Sequence, residues 1–355
     1  MIAIADHVID VGPLAGQKGG EIVFEGSFED LLEADTLTGQ ALRQYLPLQE
    51  APRRPTGSLP IRKASLHNLK QVDVDIPLGI MTVVTGVAGS GKSTLIAQVF
   101  AKQYAEEVVM IDQGPITANN RSTPASYLGF FEDIRRLLAR ESGQPESLFS
   151  FNAAGACPVC GGKGVIVTEL AFMDPIVTPC EACGGLRYNP AALACTYRGK
   201  NIVELLALTA AEALTLFDEA KIKKRLLVLQ QVGLDYLTLG QALSTLSGGE
   251  RQRLKLAKQL GKKGSIIIMD EPTTGLHMSD IERLLKLFDL IVSRSNTLVV
   301  IEHHLDVIKR ADWIIDIGPD GGKNGGQVVF TGTPLEMVQT ADTLTADSLR
   351  AACRG

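Results

Sequence analysis

The stretch MTVVTGVAGSGKST (81–94) constrains the fold more than any other. An apolar, β-branched run enters a loop of the form G-x4-G-K-[ST], and a helix is expected from about Ser93. A strand, a glycine-rich turn and a helix in that order aim the backbone N–H groups of the turn at one spot, where they attract phosphate. Gly86, Gly89, Ser90, Gly91, Lys92, Ser93 and Thr94 are therefore the candidate phosphate-binding residues. Lys92 would reach the outer phosphates and Ser93 would ligate Mg2+. The alternative is a glycine-rich turn that binds nothing.

Further apolar runs define the sheet that carries this loop. SIIIMDEP (265–272) and TLVVIEHH (297–304) read as buried strands, and VDVDIPLG (72–79) reads as an alternating strand and turn. Strands alternating with helices predict an α/β fold with a parallel sheet covered on both faces. The strand at 265–272 ends in two acids: Asp270 is placed for the Mg2+ shell, and Glu271 to orient or deprotonate an attacking water. LSGGE (246–250) offers a second anion site, from Ser247, Gly248 and Gly249, although alone it is merely a helix N-cap.

Phosphate loop, paired acids, LSGGE and His303 together form the signature of the ATP-binding-cassette family, a P-loop nucleotide-binding fold. Gln113 in IDQGP resembles that family's Q-loop, TTGLH (273–277) its D-loop region, and His303 its switch histidine. In that family the phosphate loop of one cassette and the signature of another close on the same ATP. One cassette then holds two half-sites.

Between Gly114 and Leu243 lies an insertion whose middle is rich in Gly, Pro and Cys. Cys157, Cys160, Cys180 and Cys183 follow C-x2-C-x19-C-x2-C, the spacing of a closed four-thiolate zinc site. Two pairs of redox-active or reduced cysteines are the alternative. Cys195 and Cys353 have no partner in this pattern. The segment 220–234 reads as an amphipathic helix closed by Gly233. After the signature, Arg251, Lys255, Lys258 and Lys262 form a basic stripe at helical spacing, either a solvated face or a local contact to phosphates, while Leu254, Ala257 and Leu260 face a core.

A net charge of -5 argues against a general nucleic-acid coat, so any DNA contact must be local. No run of about 20 apolar residues is present and the N-terminus has no basic-then-apolar leader, from which a cytoplasmic protein is expected.

The chain also repeats itself. ADHVIDVGPLAGQKGGEIVFEG (5–26) and ADWIIDIGPDGGKNGGQVVFTG (311–332) agree at 12 of 22 positions, including Gly12, Gly16, Gly19, Gly20 and Gly26 against Gly318, Gly322, Gly325, Gly326 and Gly332.

These motifs, with RSTPASY (121–127), FSFN (149–152), CEACGGLRYN (180–189), LSGGERQRLKLA (246–257), MDEPTTGLH (269–277) and VIEHHLDVIKRADWIIDIGP (300–319), resemble the C-terminal half of the UvrA family of DNA-repair ATPases. The short spacing from phosphate loop to Gln113 and AFMDP (171–175) are similar to UvrA-like paralogues linked to resistance against DNA-binding antibiotics. The resemblance implies a tail of a preceding cassette at 1–46, a linker at 47–58, the ATP-binding core at 59–113 and 246–355, and a signature insertion at 114–245 with its zinc module at 150–190.

It further implies an ATPase that grips duplex DNA, damaged or distorted, in excision repair or drug-linked DNA protection. Its partner would be a second copy or a separately encoded N-terminal half. Lys163, Arg187 and Tyr188 are the candidate DNA contacts. An ATPase subunit energising drug export through a membrane partner and a regulatory half-cassette completing a partner's site are the other readings.

Overall fold

The computed structural model describes residues 2–13, 20–44, 46–116, 121–170, 173–260 and 263–354. Its strands are β1 (Val8–Gly12), β2 (Glu21–Gly26), β3 (Gly57–Ala64), β4 (Val72–Leu78), β5 (Met81–Thr85), β6 (Val108–Ile111), β7 (Val165–Leu170), β8 (Met173–Pro179), β9 (Ile266–Asp270), β10 (Thr297–Ile301), β11 (Trp313–Gly318) and β12 (Gln327–Gly332). The chain divides into two compact units, Met1–Gly114 with Gln259–Gly355, and Pro115–Lys258.

In the first unit a six-stranded sheet runs in the order β12-β11-β5-β10-β9-β6. β5 and β10 are buried along their whole length, which is why both read as unbroken apolar runs. The hairpin β3–β4 contributes Ile61, Val74 and Ile76 to a core shared with Val84, Ile268, Val299 and Ile315. The helix Met278–Ser293 buries Ile281, Leu284, Leu285, Phe288 and Ile291, the apolar stripe of a one-sided helix.

β11, β5, β10, β9 and β6 are mutually parallel, as expected, but β12 is antiparallel to β11. Residues 319–326 join them, too short a connection for a parallel crossover, which takes about a dozen residues or more. After the phosphate loop the chain turns helical where expected, but Thr94–Phe100 is wound as a π-helix, with the Ala101 N–H reaching Ile96 O. Wide turns of this kind gather at functional sites.

The sequence repeat is a structural repeat. β1 pairs β2 with Val8 opposite Gly26 and Asp10 opposite Phe24, then a bulge before Val11 opposite Ile22. β11 pairs β12 with Ile314 opposite Gly332 and Asp316 opposite Phe330, then the same bulge before Ile317 opposite Val328. Capping boxes at Ser27 and Thr333 start the following helices, Phe28–Glu33 and Pro334–Thr340. The surroundings differ. β11 is also hydrogen-bonded to β5, so Ile315 and Ile317 are 0% exposed, whereas β1 pairs only β2 among the described residues and leaves Ile9 and Val11 56% and 63% exposed. Gly16 and Gly19 lie outside the described residues.

The segment expected to be a linker is anchored. Gln49 N–H donates to Lys309 O at 2.8 Å, and Arg53 reaches Asp312 through its backbone N–H (2.9 Å) and its guanidinium (3.0 Å). Asp312 is buried and also accepts the Met81 N–H at 2.9 Å, so one carboxylate ties the linker to the start of β5.

The second unit is built from helices and the hairpin β7–β8. Phe130, Phe149, Phe151 and Phe217 fill its interior, and the helix Ala220–Gln231 adds Ile222, Leu226 and Leu229 before Gly233 turns the chain at φ +68°. The unit runs from Pro115 to Lys258 and includes all but the last residue of the signature helix Gly248–Gln259. Tyr236 donates to Glu250 at 2.6 Å and the Lys258 ammonium lies 4.6 Å from the Tyr127 ring, contacts that bind this helix to the insertion.

Candidate functional site

The phosphate loop leaves the C-terminal end of β5. Gly86 has φ +131°, and a Cβ there would lie 2.0 Å from Ile317 O, so no other residue fits. Lys92 Nζ donates to Gly86 O and Val87 O, both at 2.9 Å. Burial lowers the Lys92 pKa from its ordinary value, while Glu271, Asp270, Asp316 and Glu302 pull it back up. The ammonium thus belongs to a field of four carboxylates. Ser93 is exposed at the start of the helix.

Asp270 ends β9 beside this lysine. Burial raises its pKa, repulsion from Glu271 raises it further, and Lys92 opposes both. Glu271 follows in the left-handed region at φ +43°, a strained backbone for a residue with a side chain. Three contacts hold it there or face it. Its N–H donates to Ile301 O at 2.9 Å, Gln113 Nε2 donates to its carbonyl at 3.2 Å, and His303 Nδ1 stands 4.0 Å from Oε1. The first unit therefore gathers Lys92, Ser93, Gln113, Asp270, Glu271 and His303 at the ends of adjacent parallel strands, where ligands of open α/β sheets bind.

One residue of this cluster, Glu302, has no role in the motif reading. Glu302 is fully buried and accepts from the Thr273 hydroxyl and from the His303 N–H at 2.7 Å. An acid directly before His303 in VIEHH was the signal available in the sequence.

In the second unit Ser247 and Glu250 form a reciprocal cap: Ser247 N–H donates to Glu250 Oε2 at 2.7 Å, and Glu250 N–H to Ser247 Oγ at 3.3 Å. Burial pushes the Glu250 pKa up, but hydrogen bonds from Tyr236 and Ser247 outweigh it and bring it down. Gly248 and Gly249 open the helix behind this cap. Leu254, Ala257 and Leu260 are buried as expected. The basic stripe is partly engaged locally, with the Arg251 guanidinium donating to Leu246 O and Lys258 over Tyr127, and Lys262 lies outside the described residues.

Cys157, Cys160, Cys180 and Cys183 meet with their sulfurs all within 4.8 Å of one another, and Cys160 and Cys183 are 3.8 Å apart. A tetrahedron with Zn–S bonds of about 2.3 Å has edges of about 3.8 Å, so the cluster fits zinc. Burial opposes ionisation of Cys160, but the Gly164 N–H and the neighbouring thiols bring its pKa down to about 7; burial and the neighbouring thiols push Cys183 up to about 11, against a backbone hydrogen bond from Arg187.

The three candidate DNA contacts part company. Lys163 is exposed, and the Arg187 guanidinium lies 5.4 Å from the Phe151 ring. Tyr188, expected at the DNA surface, is in the interior: it is 2% exposed, packs edge-on to Phe151 at 6.0 Å, and donates its hydroxyl to Phe149 O at 3.4 Å. Burial pushes its pKa well above the ordinary tyrosine value. A ring so enclosed cannot stack on or contact DNA.

The chain belongs to the ATP-binding-cassette family: the family model described as "ABC transporter" matches residues 69–274. Within that class it is similar to UvrA proteins. It is 46% identical to UvrABC system protein A of Methanothermobacter thermautotrophicus over 98% of this chain and 40% of that protein, and 44% identical to the Aquifex aeolicus protein over 98% and 42%. The crystal structure of UvrA2 from Deinococcus radiodurans superposes with a TM-score of 0.91 at 43% identity, covering 99% of this chain and 47% of the other. The chain therefore spans less than half the length of these relatives. Among the described residues, no helix is long and apolar enough to cross a membrane.

Proposed function

We propose that the chain is a UvrA-like cassette that binds ATP with Mg2+, hydrolyses it, and couples closure of composite ATP sites to its hold on duplex DNA. The observation that carries this reading is the convergence of Lys92, Gln113, Asp270, Glu271 and His303 on the phosphate loop. Lys92 and the backbone N–H groups from Gly86 to Thr94 hold the phosphates, and Ser93 with Asp270 would hold Mg2+. The ion supplies neutralisation of phosphate charge. Glu271 orients or deprotonates the attacking water, while Gln113 and His303 sense the terminal phosphate. Ser247, Gly248 and Gly249 serve the ATP of a facing cassette.

Zinc at the four cysteines is structural, since four thiolates leave it no open position. The DNA bound is damaged or distorted, in excision repair or in protection against DNA-binding drugs; the names of the similar proteins support the first, and the motif resemblance to resistance-linked paralogues supports the second. Lys163 and Arg187 carry the local DNA contact. Residues 1–46 are the tail of a preceding cassette, a reading supported by the matching registers and bulges of the two hairpins. The facing cassette is a second copy or a separately encoded half.

ATP turnover per chain, measured as protein concentration rises, tests this. Specific activity climbing to a plateau, and abolished by Glu271→Gln, is expected if copies complete each other's sites. Folded, ATP-binding protein that stays at background at every concentration would exclude the homodimer. Turnover surviving in Glu271→Gln would remove Glu271 from its role.

A further inference from the structure

Glu302 is a buried ionisable group that the cassette motifs leave unused. It follows β10 directly, its side chain is 0% exposed, and its backbone N–H donates to Val84 O at 3.1 Å, next to the phosphate loop. A carboxylate so enclosed is costly unless donors satisfy it. Its donors come from two separate segments. Oε1 accepts the Thr273 hydroxyl and the Thr273 N–H (3.3 Å), and Oε2 accepts the His303 N–H (2.7 Å) and faces His303 Nδ1 at 3.4 Å.

Thr273 lies two residues beyond Glu271, in the turn that keeps Glu271 in its left-handed conformation, where Thr274 N–H also closes onto Glu271 O at 3.1 Å. One carboxylate thus fastens the turn bearing the proposed catalytic acid to the residue proposed to sense phosphate.

We propose that Glu302 is a positioning residue for ATP cleavage, its buried carboxylate locking the turn 271–274 and His303 into one rigid unit. Two acceptor oxygens are required, because N–H donors approach from both sides. Glutamine has the same shape but one acceptor oxygen: if that oxygen faces His303 N–H, its NH2 group opposes Thr273 N–H, and if it is flipped the conflict moves to His303. Either way one segment is released. Since Glu302 reaches no phosphate, its loss should leave ATP binding largely intact and reduce the chemical step. The proposal rests on the ATPase reading, and the experiment separates the two.

In the full chain, Glu302→Gln is compared with the wild type by amide hydrogen exchange and by ATP turnover. Expected are exchange at least about tenfold faster in peptides covering 271–277 and 302–306 with β5 and β10 unchanged, and kcat lower by about tenfold or more with KM for ATP within about twofold. Thr273→Val, which removes one hydroxyl donor and keeps the Thr273 N–H, should reproduce part of the kcat loss while exchange in β5 and β10 stays unchanged. Unaltered local exchange in Glu302→Gln overturns the lock. If Glu302→Gln loosens the whole unit, Thr273→Val decides, and wild-type turnover in that variant overturns the proposal. A wild-type chain without turnover would sink the ATPase reading, while the exchange comparison would still decide the lock.

Discussion

Replacing Cys180 by serine should cost the inserted unit its metal and, with it, the fold of residues 157–189. The hairpin β7–β8 between the two cysteine pairs leaves Val167, Ile176 and Val177 48%, 51% and 58% exposed, so it buries little of its own apolar surface. The apolar cluster at its base consists of the cysteines themselves. A lone two-stranded hairpin is marginal in water, so the metal must supply what the core does not. Zinc-finger peptides gain roughly 10–16 kcal/mol on binding, so one of four equivalent ligands is worth roughly 2.5–4 kcal/mol. That corresponds to about two to three orders of magnitude in zinc affinity.

The assay is metal content per chain by mass spectrometry, zinc affinity by competition with a chromophoric chelator, and limited proteolysis with and without chelator. The wild type should carry one zinc per chain and resist cleavage until chelated, whereas Cys180→Ser should lose zinc and be cleaved within 157–189 from the outset. Zinc affinity unchanged within about threefold in the variant, or a chelated wild type as resistant as the loaded one, would refute the reasoning.

The repeat supplies a comparison of one residue type in two settings. Ile315→Ala empties a fully buried site and should cost about 2–5 kcal/mol, while Ile9→Ala at the matching position should stay within about 0.5 kcal/mol; equal shifts in urea unfolding would contradict the assigned burial. Asp312→Ala strands the Met81 N–H and removes one of the two carboxylates paired with Arg53, and should cost about 1–3 kcal/mol, read from the same titration, with zinc content unchanged. Lys163→Ala should weaken DNA binding and lower its salt slope by about 1, whereas Tyr188→Phe should leave DNA affinity alone. A loss of DNA affinity in Tyr188→Phe with an unchanged unfolding midpoint would contradict the interior placement.

By itself the sequence determined the local chemistry. The phosphate loop, the acids ending β9, the cysteine spacing and the capped signature are each written in a few adjacent residues, because strand, turn and helix geometry alone decide where their groups point. It also showed that residues 5–26 recur at 311–332, whereas the paired strands and their matching bulges came from the structure. Only the tertiary structure decided which groups are enclosed and which segments meet. Tyr188 sits in an apparently polar stretch, CEACGGLRYN, yet Phe149 and Phe151, far back along the chain, wall it in. Arg53 looks like linker until Asp312 and Asp289 close on it. Ile9 and Ile315 are the same residue in the same local structure, and one is exposed while the other is core, because burial depends on whether a neighbouring strand is present. Glu302 could be seen as an acid beside His303; that it binds Thr273 is a contact across 29 residues, formed only when β9 and β10 lie side by side.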